Sequence, residues 1–211
     1  DYAIEQGVDI LSNSWGGGGY SQALYDAISR TKDAGILFVA AAGNDGKNND
    51  TRPSYPANYA VSNMISVVAL DRNDKLASFS NYGASLTHLG APGVEIYSCT
   101  AASDTSYDTF KGTSMATPHV SGVAALVKSK FPKLTVDQLK ARLLNNTRPV
   151  ASLTGKTATG GAVSAKRALD NVVVPVPDVS VFTAANMPKS IPDRGKTTSN
   201  IVVSGQPTSI S

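Results

Sequence analysis

Gly112-Thr113-Ser114-Met115-Ala116 places a serine directly after a glycine-containing turn, at the start of the longest helical pattern in the chain. A helix N-terminus gathers unpaired backbone N–H groups and a positive dipole end, so a carbonyl oxygen gaining negative charge there would be stabilised. A serine that only caps the helix has the same local pattern, and both readings stay open. Ala41-Ala42-Gly43-Asn44 delivers an asparagine to the C-terminal end of a buried strand, the edge where open α/β sheets hold ligands. Its amide could donate to the oxygen that the Ser114 N–H reaches, or it could be a simple turn former. Ser14-Trp15-Gly16-Gly17-Gly18-Gly19 ends another strand in four consecutive glycines. Without side chains this backbone could pair with an extended peptide as an added strand, or form a flexible loop.

A serine hydroxyl needs a general base within hydrogen-bond reach, usually a histidine oriented by a carboxylate. The chain has two histidines, His88 and His119. His119 follows Ser114 by five residues, about 140° around the helix at roughly 100° per residue, and so points away from the hydroxyl. His88 sits in Leu86-Thr87-His88-Leu89 and reads as a structural residue. The pattern therefore holds a nucleophile and an oxyanion site without an evident base.

Val8 to Ser14 reads as a short buried strand. Ser21 to Ala34 reads as a helix capped by Ser21 and closed by Gly35, with Leu24, Ala27, Ile28 and Thr31 on one face. Ile36 to Ala42 is a continuous apolar strand that completes a βαβ unit, and Met64 to Leu70 adds another. Ala77 to Phe110 suggests short strands and turns. A helix from about Ser114 to Phe131 carries Val120, Val123, Ala124 and Val127 at helical spacing, with Pro118 in its first turn. Small residues at Ala116, Gly122, Ala124 and Ala125 would let it lie close to its neighbours. Thr135 and Gln138 form a capping box ahead of Leu139 and Leu143, and a last helical turn spans Ser164 to Asp170. The expected fold class is α/β, a three-layer sandwich with a mainly parallel sheet. Residues 1–171 form this domain, and 172–189 are a Val/Pro-rich linker. Residues 190–211, with a strand at Ile201 to Val203, open a β-rich unit too short to bury its own core.

Of the 211 residues, 41% are hydrophobic and 17% charged, and the formal net charge is +3. Scattered Lys and Arg argue against a nucleic-acid partner, and no apolar run is long enough for a membrane span. One cysteine, Cys99, excludes an internal disulfide framework and reads as a small buried hydrophobe. Abundant Ser, Thr, Asn and Gly with few charges fits an exported protein. Asp1 is not an initiator Met, and the chain is expected to begin inside a fold, incomplete at the N-terminus.

Together, Gly112-Thr113-Ser114-Met115-Ala116-Thr117-Pro118-His119-Val120-Ser121-Gly122 resembles the serine signature of the subtilisin-like peptidases. Ala40-Ala41-Ala42-Gly43-Asn44 resembles that family's oxyanion segment, Asn13-Ser14-Trp15-Gly16-Gly17 its substrate-binding strand, and Ala91-Pro92-Gly93 a further recurrent element, all in the family's order. The resemblance implies serine endopeptidase chemistry through an acyl-enzyme, on protein or peptide substrates, in a secreted, monomeric parent. It maps Ser114 to the nucleophile, Asn44 to the oxyanion donor and Thr113 to its support. Ser14, Trp15, Gly16 and Gly17 with Ala41, Ala42 and Gly43 would wall the pocket for the residue before the scissile bond, with Ser54 to Ala57 near its base. Trp15, where the family commonly has a large apolar residue, implies a taste for extended apolar side chains. No cofactor is required, although Asp71 with carbonyls around Ala57 and Tyr59 resembles a weak calcium site. In the family the catalytic Asp and His precede the serine by more than a hundred residues, so they should precede Asp1, and the chain alone is expected to be inactive. The tail from Ser190 to Gly205 looks like the start of the β-sandwich P domain appended to proprotein convertases.

Two further readings stand beside this one. A peptide-binding protein could keep the Gly16 to Gly19 edge and the Asn44 pocket without catalysis. An esterase of the α/β-hydrolase type fits less well, because Ala116 stands where its nucleophile elbow has glycine and no histidine follows His119.

Overall fold

Residues 1–170 are described by the structure, a computed structural model. A short helix α1 (Tyr2–Glu5) leads to strand β1 (Ile10–Asn13), and α2 (Gln22–Asp33) crosses over to β2 (Leu37–Ala41), parallel to β1 with Ile10 opposite Leu37. This is the βαβ unit that the apolar pattern predicts. Ser21 Oγ accepts the Leu24 N–H at its start, and Gly35 turns the chain out of the helix. β3 (Met64–Leu70) lies beyond β2 and β4 (Leu89–Pro92) beyond β3, both parallel. β5 (Ile96–Cys99) and β6 (Tyr107–Phe110) then form an antiparallel hairpin separate from the main sheet.

The central helix α3 (Thr113–Lys130) packs across β1, β2, β3 and β4. It is followed by α4 (Val136–Asn145), by β7 (Arg148–Pro149) antiparallel to β8 (Gly161–Ala162), and by α5 (Ala165–Leu169). The sheet order is β1-β2-β3-β4-β8-β7. Every residue of β2 and β3 is buried, which is why both read as unbroken apolar runs: the sheet is covered on two faces. Alternation still sorts the side chains. Leu37, Val39, Ile65 and Val67 meet Ala116, Val120, Ala124 and Val127 of α3 and Leu139 and Leu143 of α4, whereas Phe38, Ala40 and Met64 meet Ile28 of α2. The result is the expected three-layer α/β architecture with a mainly parallel sheet.

The α4 capping box is present in both directions, Gln138 N–H to Thr135 Oγ1 and Thr135 N–H to Gln138 Oε1. The small-residue argument for α3 needs correction. Ala116 and Ala124 are fully buried against the sheet, but Gly122 and Ala125 are exposed, on the turn of the helix facing away from it. The expected linker at 172–189 and the strand at Ile201 to Val203 lie outside the described residues.

Candidate active site

Three elements converge at the C-terminal edge of the parallel sheet: β1 runs on into Ser14 to Gly19, β2 into Ala42, Gly43 and Asn44, and α3 begins after Gly112. Two hydrogen bonds join the first to the last. Ser14 Oγ donates to the Ser114 carbonyl at 2.7 Å, and Ser114 Oγ donates to the Ser14 carbonyl at 3.2 Å. The N-cap position belongs to Gly112, so Ser114 is the second helical residue and its hydroxyl reaches across to the end of β1. The capping alternative for Ser114 therefore falls.

Thr113 is fully buried and organises Asn44. Its backbone N–H and its hydroxyl both donate to Asn44 Oδ1, at 2.8 and 2.9 Å, while its Oγ1 accepts the Gly43 N–H at 3.3 Å. With that oxygen taken twice, Asn44 presents Nδ2 as a donor. A Cβ built on Gly112 would stand 3.6 Å from Asn44 Nδ2 and 3.6 Å from the Ser114 nitrogen. Two donors, with Asn44 Oδ1 at 3.7 Å beside the first, thus border the space that residue 112 leaves open as glycine, and the second donor is a helix N-terminal N–H with no intrahelical acceptor. An oxyanion beside Ser114 Oγ is the group that such an arrangement suits.

Gly16 to Gly19 are exposed. The Gly17 N–H donates to the Tyr55 carbonyl at 3.2 Å, and Gly18 forms an antiparallel bridge with Tyr55. A Cβ on Gly16 would meet the Tyr55 carbonyl at 3.0 Å, and one on Gly43 would meet Ser54 Oγ at 3.3 Å. The Ser54-Tyr55 segment therefore touches both glycine-bearing walls, while Ala41 and Ala42 are buried behind them. Trp15 and Tyr20 lie half exposed on the rim, with the Tyr20 ring edge-on to Tyr55 at 5.4 Å. Ser114 also lines a cleft of about 600 Å³ between Ile96, Tyr97, Cys99 and Phe110 of the hairpin and Met115, Pro118 and His119 of α3. Cys99 is exposed there and is not the buried hydrophobe expected from sequence. Its hairpin stands off the sheet, and β6 is exposed throughout.

Neither histidine touches Ser114 Oγ. His119 Nδ1 is 2.9 Å from the Met115 carbonyl, one turn back on its own helix. His88 is buried, and its Nδ1 accepts the Ser66 N–H at 2.9 Å. Desolvation, helped by nearby Lys140, holds its pKa well below the usual imidazole range, so the ring is neutral at neutral pH. The structure does not bring together the three residues of the suggested cation site. Asp71 follows the C-terminal end of β3, where its Oδ1 accepts the Asn73 and Lys75 N–H groups, whereas Ala57 and Tyr59 pack with Met64 at the opposite end. At about 3.3 Å per residue, β3 separates them by roughly 20 Å. Among the described residues, no three His, Cys, Asp or Glu side chains gather as metal ligands.

Two residues that the sequence reading overlooked hold the Asn44 turn. Buried Asn49 and Asn81 bond to each other and to the Ala42 carbonyl. As polar residues in turn-rich segments they look like ordinary turn formers, and no local pattern separates them from their neighbours.

The site thus joins a serine at a helix start and an asparagine amide at one edge of a parallel α/β sheet. The comparisons then give the family: the subtilase family profile, peptidase S8, matches residues 1–173, and the chain belongs to that family. It is 44% identical to subtilisin DY of Bacillus licheniformis over 144 residues, 68% of this chain and 51% of that protein. It is 41% identical to thermitase of Thermoactinomyces vulgaris over 168 residues, 80% of this chain and 56% of that protein. Against alkaline elastase YaB of a Bacillus species the identity is 40% over 153 residues, 72% of this chain and 38% of that protein. The chain spans about half the length or less of these relatives. Among the described residues, no helix is long and apolar enough to cross a membrane.

Proposed function

We propose that this chain carries the nucleophile, the oxyanion site and a substrate-binding edge of a secreted serine endopeptidase. The observation that carries the reading is the pair of donors, Asn44 Nδ2 and the N–H of Ser114 itself, bordering the same space at Gly112. A peptide would lie extended along Gly16 to Gly19, its carbonyl carbon at Ser114 Oγ and its leaving segment towards the hairpin cleft. Attack by Ser114 Oγ forms a C–O bond, and the negative charge that develops on the carbonyl oxygen is met by the two donors. Breaking the C–N bond, with a proton delivered to the amine, leaves an acyl-enzyme that water then hydrolyses. A base must take the hydroxyl proton. We place it, as a histidine oriented by a carboxylate, outside the described residues, because His88 and His119 are engaged with Ser66 and Met115 while Ser114 Oγ donates to the Ser14 carbonyl. That same contact favours a second reading, a peptide-binding member of the family without turnover.

A fluorophosphonate probe separates the two. In the full-length gene product, fast labelling abolished by Ser114→Ala, with casein hydrolysis lost in parallel, supports the endopeptidase. Tight peptide binding without labelling or hydrolysis would replace it with the binding protein. The 211-residue chain alone should label only slowly.

A further inference from the structure

We infer that Asn81 is a positioning residue for Asn44, holding the backbone on both sides of it so that its amide stays aimed at the oxyanion. The inference rests on the oxyanion role proposed for Asn44. Asn81 is 1% exposed and spends its whole hydrogen-bonding capacity on this turn. Oδ1 accepts the N–H groups of Asp45 (2.9 Å) and Lys47 (3.1 Å), and Nδ2 donates to the Ala42 carbonyl (3.1 Å) and to Asn49 Oδ1 (3.1 Å). Its backbone N–H adds a bond to the Gly43 carbonyl at 2.9 Å. One side chain thus grips the residues before and after Asn44, while Thr113 grips its amide oxygen.

The fit is interlocked. A Cβ on Gly43 would stand 2.3 Å from Asn81 Nδ2, so the turn can approach this amide only because residue 43 is glycine. An amide donor aimed at a developing charge works through placement, and a small displacement weakens it in the transition state more than in the bound substrate. Loss of Asn81 should therefore lower kcat and leave KM nearly unchanged.

The test is a double-mutant cycle in the full-length gene product, with kcat and KM measured per folded molecule. Asn44→Ala should lower kcat by about 10²–10³-fold, the usual effect of removing one oxyanion donor. Asn81→Ala should lower it by roughly tenfold or more at unchanged KM, and should add less than about twofold in the Asn44→Ala background. Asn81→Asp, which keeps both accepted N–H bonds but loses both donated ones, gives a second entry to the cycle should the alanine variant fail to fold. Equal losses of kcat in both backgrounds, or a loss confined to thermal stability, would overturn the positioning role. Retention of activity by Ser114→Ala would instead remove the proposed function itself, and Asn44→Ala without effect would remove its oxyanion site.

Discussion

At Gly43 a single hydrogen atom decides whether the turn can form. The residue has φ +112, and a methyl group there would collide with Asn81 Nδ2. Gly43→Ala should cost on the order of 1–3 kcal/mol from backbone strain alone, measurable by urea unfolding, and should lower activity by moving Asn44. Thr113→Val tests the other half of the clamp. It removes the hydroxyl bond to Asn44 Oδ1 and the acceptor of the Gly43 N–H but keeps the backbone N–H bond to Asn44, so stability should fall by about 1–3 kcal/mol and kcat by roughly tenfold. That Ser114 and Asn44 belong to one edge of the sheet is legible from the helix start and the strand end that carry them. What the chain order hides is the third dimension: Ser114 as cap or cross-strand donor looks identical along the chain, and the N-cap at Gly112 with the 3.2 Å contact to Ser14 separates the two. Asn49 and Asn81 stayed hidden for the same reason, since their partners lie in another segment.

Among the elements, β3 and β4 enclose the main titratable liability of the core. His88 immediately precedes β4, neutral and buried, beside Lys140 of α4, whose Nζ donates to the Ser62 carbonyl and whose pKa is pushed down to about 8 by desolvation, with Asp137 opposing that shift. Both groups bind a proton more readily in the unfolded chain. As pH falls below the ordinary histidine value of 6.5, the unfolded state takes up a proton that His88 in the fold refuses, so stability should drop steadily with acid. Between about 8 and 10.5 the Lys140 contribution runs the same way, stability rising with pH as the folded state sheds its proton first. Unfolding free energies across pH 4 to 7 in His88→Gln should flatten the acid limb. Thr135→Ala should weaken α4 by about 1 kcal/mol through its capping box, seen as a lower denaturation midpoint. Strands and helices of 1–170 were largely legible because unbroken apolar runs and capping residues are local signals. The hairpin's position off the sheet was not, and with it went the exposure of Cys99, because alternation in β5 and β6 says nothing about which surface they leave bare.

At the scale of the molecule, the site is built from stretches far apart in the chain: Ser14, Asn44, Asn81 and Thr113-Ser114 meet only through a parallel sheet whose strands are joined by long crossovers. A distant ion pair such as Asp74 with Arg148, half exposed, adds little, and Arg148→Ala should change stability by less than about 1 kcal/mol in chemical denaturation. The crossovers matter more. Parallel pairing closes large loops before any contact rewards them, so this topology forms slowly compared with helices alone. Ser114 lies at the start of α3, the helix that spans β1 to β4, and its two bonds to Ser14 require β1 to be in place. A chain part-way through folding holds Ser114 without Asn44 or Ser14 beside it. The order of the strands thereby makes the arrangement around Ser114 one of the last features of the fold to be completed.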